Sequence, residues 1–186
     1  KCTHDSGGVA ICKDKSTFDF INAKKIINDS LKNNYYYQGR EWPYKNVQAR
    51  IIIEKYMEDS ETKELRDYKF FCFNGRVECF KIDYNRKTNH RANYYSREGE
   101  LLNFGEYMYP PEYGKKVSLP KNLNKMIELA EILSKNCVFL RIDFYEVNSK
   151  IYFGELTFYP ASGFGRFEPE EYDKILGDML KLNMGG

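Results

Sequence analysis

The sequence predicts an α+β fold in which antiparallel sheets carry packing helices, and three observations predict it. Asp67 to Asp83, DYKFFCFNGRVECFKID, alternates around Asn74-Gly75, the strongest short hairpin signal in the chain. Val138 to Val147 and Ile151 to Tyr159 are apolar, aromatic-rich segments flanking Asn148-Ser149-Lys150, which reads as a second hairpin. Around these hairpins lie stretches whose apolar residues recur at helical spacing.

Taken in order, Lys1 to Cys12 (KCTHDSGGVAIC) opens with the turn-forming cluster His4-Asp5-Ser6-Gly7-Gly8, after which Val9 to Cys12 reads as a strand. Small residues between strands suit a flap whose backbone N–H groups cap phosphates, with Lys1 supplying a point charge. A Gly-Gly turn with no ligand accounts for the same residues. Ser16 to Asn33 carries Phe20, Ala23, Ile26, Ile27 and Leu31 on one stripe and reads as a packing helix. Tyr35-Tyr36-Tyr37 with Glu41-Trp42-Pro43-Tyr44 could stack bases, although no basic stripe accompanies it and local packing explains it as well. Arg50 to Met57 is a β-branched run read as a buried strand, followed by an acidic polar loop, Glu58 to Glu64.

Beyond the Asn74-Gly75 hairpin, Arg86, His90 and Arg91 lie in a polar connection. Asn93 to Phe104 predicts a short strand pair around Glu98-Gly99. Lys69, Arg76 and Lys81 fall among the hairpin aromatics, and these cations could meet phosphate or a substrate carboxylate or simply face solvent. Tyr107 to Leu119 is a loop. Asn122 to Asn136 is a well-patterned helix with Leu123, Met126, Ile127, Ala130 and Leu133 on one face, and Pro169 starts a terminal helix through about Leu182.

Composition narrows the function classes. A chain of 186 residues, 42% apolar with 16 Tyr and 13 Phe, has enough material for one domain or a domain with a small lobe. With 29 basic against 27 acidic residues the balance is +2, which gives no general argument for nucleic acid or an anionic membrane. Cys2, Cys12, Cys72, Cys79 and Cys137 are odd in number, form no C-x-x-C pair and read as buried thiols of a reducing compartment. No apolar run has the length of a membrane span and no signal peptide is visible, so the chain is read as cytoplasmic. It begins with Lys1-Cys2 rather than Met, which leaves room for an upstream segment.

The chemistry concentrates in the second hairpin. Asp143 lies six residues before Ser149 and Glu155 six after it, so a tight hairpin sets two carboxylates near each other across the ladder. Unpaired, they would repel; a divalent cation between them removes the repulsion, and hard oxygen ligands on strands suit Mg²⁺ completed by phosphate. The alternative has Arg141 neutralise one carboxylate while the other faces solvent. With only two histidines there is no Cys-His or Ser-His-Asp set.

Arg141-x-Asp143, twelve residues to Glu155-x-Thr157, then Pro160 and Gly163, resembles the metal-binding end of the ATP-grasp superfamily, where R-x-D, a hairpin, E-x-N and a Pro-Gly loop follow one another. DYKFFCFNGRV with FGELTFYPASGF is more closely similar to the TupA-like branch, associated with teichuronopeptide biosynthesis. The resemblance implies an ATP-grasp fold with the amino-terminal lobe missing or truncated: residues 1–56 as a small lobe with a phosphate flap, and 57–186 as a large lobe carrying the metal-binding hairpin. It implies ATP and Mg²⁺ as cofactors, with Asp143 and Glu155 as metal ligands and Thr157, which stands where the family has Asn, beside them. Arg141 would neutralise the transferring phosphate, and Arg86 and Arg91 join it as catalytic candidates. Lys1, with His4, Ser6, Gly7 and Gly8, would contact phosphates; Glu54, Lys55, Tyr56 and Met57 would hold adenine; Asp67 and Lys69 complete the nucleotide set.

The implied reaction joins a carboxylate substrate, an amino acid or uronate, to an amine acceptor on a glycan or its precursor. It passes through an acylphosphate, releases ADP and phosphate, and serves cell-wall or capsule polysaccharide biosynthesis with no nucleic acid and no membrane span involved. Two rivals remain at this stage. A glycosyltransferase with a nucleotide-sugar donor would often show D-x-D, which does not occur here, and a non-catalytic ATP-binding module is the other.

Overall fold

Two compact units divide the chain, Lys1–Met57 and Glu58–Gly186. The structure, a computed structural model, describes residues 1–60, 64–86 and 88–182. Part of the loop expected over Glu58 to Glu64 lies outside the described residues.

In the first unit, helix α1 (Phe20–Lys32) begins where the Asp19 carboxylate accepts from the backbone N–H of Asn22 at 2.9 Å, satisfying one of the orphan donors of the first turn. The short α2 (Tyr35–Gly39) is capped in the same way by Asn34. The aromatic segment folds onto itself: Tyr35 meets Tyr44 edge-on at 5.2 Å and Lys45 lies over the Trp42 ring.

Two expected strands do not form here. Val9 to Cys12 is irregular, and Arg50 to Met57, read as a buried strand, is extended and exposed, with Ile53 94% accessible. A β-branched run becomes a buried strand only where neighbours complete its ladder. Only the first residues run alongside it, through the bridge Cys2↔Ile51 and the bonds Thr3 N–H to Arg50 carbonyl (3.0 Å) and Ile52 N–H to Lys1 carbonyl (2.9 Å).

The second unit is built on an antiparallel sheet in the order β3-β2-β1-β5-β6, with β1 (Asp67–Phe73), β2 (Arg76–Tyr84), β3 (Arg91–Ser96), β5 (Phe139–Val147) and β6 (Lys150–Thr157). Both expected hairpins are present. Asn74 and Gly75 turn the first with positive φ at both positions, and Asn148 and Ser149 do the same in the second. The strand pair expected around Glu98-Gly99 is reduced to β3 and a single bridge, Tyr95↔Leu101. Past it, β4 (Gly105–Glu106) pairs with β7 (Phe167–Glu168) instead.

Alternation divides the sheet into two chemically distinct faces. Phe70, Cys72, Val77, Phe80, Ile82, Leu140, Ile142 and Phe144 point to one side, where helix α3 (Leu123–Ser134) covers them with Met126, Ile127 and Ala130. Phe80 stacks between Phe70 and Tyr95 in that core. On the other side Phe71, Phe73, Cys79 and Tyr94 are covered by Phe104 and by Leu176 of α4 (Glu171–Asp178). The remainder of that second face carries charge.

Candidate functional site

Strand register lines up one row of side chains across the charged face. Tyr94 on β3 pairs with Lys81 on β2, Lys81 with Lys69 on β1, Lys69 with Asp143 on β5, and Asp143 with Glu155 on β6. One step along the same face, Asp83 pairs with Asp67; one step the other way, Arg141 pairs with Thr157. Directly paired residues share a face, so these side chains converge by backbone geometry before any attraction between them.

The meeting of Asp143 and Glu155 depends on a bulge. From the tight turn, Val147 pairs with Lys150 and Phe144 with Phe153, so a straight ladder would set Gly154 opposite Asp143 and turn Glu155 to the α3 face. The register shifts between Asp143 and Phe144, and β6 spends Gly154 as the extra residue. A Cβ on Gly154 would lie 2.9 Å from the Asp143 carbonyl oxygen, so only glycine fits.

Arg141 clasps this pair. Its Nε donates to Asp143 Oδ1 at 2.7 Å, and one terminal nitrogen reaches Asp143 Oδ2 (2.8 Å), Glu155 Oε1 (2.9 Å) and Thr157 Oγ1 (2.9 Å). Thr157 in turn donates to Glu155 Oε1 at 3.1 Å. Lys69 Nζ donates to Asp143 Oδ2 and lies 3.6 Å from Asp67 Oδ1, while Arg86 donates to Asp67 Oδ2. Asp143 is 1% exposed, whereas the side chain of Glu155 is 55% exposed and opens the cluster to solvent. Burial alone would raise the Asp143 carboxyl; the Arg141 and Lys69 cations outweigh it and hold the group below the ordinary carboxylate range. Arg141 is raised despite its burial, chiefly by Asp143.

A second knot adjoins the first. Lys81, buried, donates to both oxygens of Glu106 (2.7 and 2.8 Å), which also accepts from Tyr94 Oη at 2.7 Å. Burial pushes Glu106 up, and Lys81 and Tyr94 bring it below its usual value. Asp83 lies 3.9 Å from Lys81 and accepts from His90 Nε2 at 2.9 Å.

A family model, TupA-like ATPgrasp, matches residues 1–181 of the 186-residue chain. The chain belongs to the TupA-like ATPgrasp family. Membership assigns it nucleotide binding and an ATP-dependent, ligase-type role, on a mixed fold of helices and antiparallel sheets. No curated protein and no solved structure matches it. Among the described residues, no helix is long and apolar enough to cross a membrane.

Of the residues that the ATP-grasp resemblance singled out, the second unit brings Asp67, Lys69, Arg86, Arg141, Asp143, Glu155 and Thr157 into one network. Arg91 is not among them. It pairs with Tyr84, which belongs to the core under α3, so alternation carries it to the opposite face. In the first unit, Lys1 Nζ and Glu54 Oε2 form an ion pair at 2.5 Å, which joins the flap to the segment running on through Lys55, Tyr56 and Met57. Tyr56 lies under Lys13. Ser6 and Gly7 are exposed, and Gly7 has φ +108° with open space about it. His4 and Gly8 both pack against the protein. The His4 ring is buried, its Nε2 within 3.2 Å of the Leu31 carbonyl, and a Cβ on Gly8 would strike Ser30 at 2.5 Å.

The residues at the hairpin fit Mg²⁺ by donor chemistry. Asp143 and Glu155 are hard carboxylates on directly opposed positions, one of them open to solvent. The described residues contain no group of three or more His, Cys, Asp or Glu suited to a metal. Lys81 and His90 stood among the cations noted from sequence, but Asp83, Glu106 and Tyr94, which gather them into one cluster, did not. The signal was the alternation in Cys79-Phe-Lys-Ile-Asp-Tyr84, which sets two charges on one face of an otherwise apolar strand.

Proposed function

We propose that this chain is an ATP-grasp carboxylate–amine ligase that works through an acylphosphate, with its acceptor on a cell-surface glycan or glycan precursor. The observation that carries the reading is the Asp143–Glu155 pair, directly opposed across a glycine bulge and clasped by Arg141. An acylphosphate route needs a place where negative charge on a transferring phosphoryl group is neutralised, and no protein nucleophile.

In this reading Asp143 and Glu155 would hold Mg²⁺, which when bound neutralises phosphate charge. Arg141 contributes a second, fixed positive charge at the same place, oriented by Asp143. Thr157, whose hydroxyl already bonds Arg141 and Glu155, sets the direction of both rather than ligating the metal. Lys69 extends the positive charge to β1, and the half-exposed Arg86 is placed to receive a substrate carboxylate. The carboxylate attacks the γ-phosphoryl group, ADP leaves, and an amine then displaces phosphate to give the amide. Lys1 and the Glu54 to Met57 segment are assigned to ATP phosphates and adenine on the family pattern.

The deciding experiment pairs binding with turnover. ATP with Mg²⁺ at 100 times its Kd should stabilise the protein by about 2.7 kcal/mol in a thermal shift, and UDP-sugars should not. Phosphate release should then appear with one or a few members of a panel of amino acids and uronates. The reading fails if ATP binding ignores Mg²⁺ and Glu155→Gln releases phosphate as fast as wild type.

A further inference from the structure

His90 stands at the edge of the charged face in an arrangement that the ligase reading does not use. Its Nε2 meets Asp83 Oδ1 at 2.9 Å, and its ring stacks on Tyr109 with centroids 3.9 Å apart and planes 28° apart. A carboxylate oxygen accepts, so Nε2 carries the ring hydrogen and the lone pair resides on Nδ1. Among the described residues Nδ1 has no protein partner, and the side chain is 20% exposed. The other oxygen of Asp83, Oδ2, is buried without a hydrogen-bond partner among those residues. A buried carboxylate left half-satisfied is costly, and it gains a purpose if positive charge develops on the imidazole beside it.

We infer that His90, oriented by Asp83 and Tyr109, is the base that removes the proton from the attacking amine, an assignment that rests on the ligase reading. Asp83 shares the face and pairs directly with Asp67, next to the row that runs from Lys81 through Lys69 to Asp143 and Glu155. Strands β2 and β5 are two spacings apart, roughly 10 Å, and between them β1 carries Lys69 and Asp67 on the same face, so substrate would lie over these side chains between the carboxylate pair and the imidazole. In the step itself the amine nitrogen bonds the acyl carbon, the acyl C–O bond to phosphate breaks with its electron pair leaving on inorganic phosphate, and the nitrogen proton passes to Nδ1. The imidazolium so formed faces Asp83, whose Oδ1 also has Lys81 Nζ at 3.9 Å; Tyr109 lies against its ring, and Glu106 from β4 takes two hydrogen bonds from Lys81.

The test separates the two halves of the reaction and adds a readout that needs no substrate. The protein has two histidines, so long-range proton–nitrogen spectra resolve both rings. His90 should show the Nε2–H tautomer, and Asp83→Asn should abolish that preference; an Nδ1–H tautomer in wild type overturns the proposal. For turnover, the acid that supports phosphate release is supplied with hydroxylamine, a nucleophile that reacts without a base, or with methylamine. His90→Gln should lower amide formation with methylamine by 100-fold or more and remove the rising limb of its pH profile. Hydroxamate formation should fall less than 5-fold. Equal losses with both nucleophiles, or no loss with either, refute the role of base. Hydroxamate formation in both proteins with an unchanged methylamine rate sinks the inference alone, whereas no phosphate release with any acid removes the ligase reading and the base together.

Discussion

Asp143→Asn exposes how the site is held. The carboxylate is 1% exposed and accepts two hydrogen bonds from Arg141 and one from Lys69, whose side chains are 11% and 12% exposed. An amide keeps one acceptor oxygen and places an N–H₂ group against cations that can only donate. Removing one partner of a buried ion pair costs about 3–5 kcal/mol, and the partial exposure of both cations places this case near 3. For a chain of this size that is a fall in Tm of roughly 6–12 °C. Urea unfolding followed by near-ultraviolet circular dichroism measures it, with Glu155→Gln, half in solvent, as a control expected within about 0.5 kcal/mol of wild type. Lys69→Met should cost less alone, and the double variant should recover part of the sum, because the two residues share one interaction. Binding sites with like charges awaiting a ligand gain stability when a charge is removed. If Asp143→Asn is as stable as wild type or more so, Arg141 and Lys69 do not compensate it and the reasoning fails.

Other outcomes follow from the same geometry. Asp143 and Glu106 have folded-state values below their unfolded ones, so their stabilisation is fully present above about pH 4 and is lost as pH falls through the lowered values; urea midpoints from pH 2 to 7 should show that acid limb, shallower in Asp143→Asn. Gly154→Ala drives a Cβ into the Asp143 carbonyl and should cost about 1–3 kcal/mol while weakening Mg²⁺-dependent ATP stabilisation, read by thermal shift. Phe80→Ala opens a cavity between Phe70 and Tyr95 and should cost about 3–5 kcal/mol by denaturant titration. Burial pushes the Cys72 and Cys79 thiols up to about 11 and about 12, so iodoacetamide should label Cys12 and Cys137 first and reach Cys72 and Cys79 only on unfolding, as peptide mass spectrometry would show.

What could be read from sequence was whatever rests on local pattern. Asn74-Gly75 announces its hairpin because both positions need positive φ, and the stripe from Leu123 to Leu133 announces α3 because its apolar spacing is helical. What could not be read depends on neighbours. Ile51-Ile52-Ile53 has strand chemistry whatever lies beside it, and the single bridge to Cys2 leaves it exposed. Gly8 suits close approach because it lacks a side chain, and the structure adds a neighbour no local pattern names, Ser30, which a Cβ there would strike.

The charged face shows the same division at single-residue scale. His90 and Arg91 are adjacent, and both are polar residues in a connection that sequence reads as one cluster. The pairing of Arg91 with Tyr84 sends the arginine toward α3, while His90, one residue earlier and outside the ladder, reaches Asp83 on the other side. At β6 the logic runs in reverse. Counting outward from Ser149 sets Asp143 and Glu155 opposite each other, yet the tight turn is centred between Asn148 and Ser149 and by itself opposes Asp143 to Gly154. The bulge adds one residue to one strand and restores the carboxylate pair. A glycine in an otherwise apolar strand was therefore the informative letter in Phe153-Gly154-Glu155, because it marks where a one-residue offset could be absorbed. The opposition of the two carboxylates is set by that offset as much as by the residues themselves.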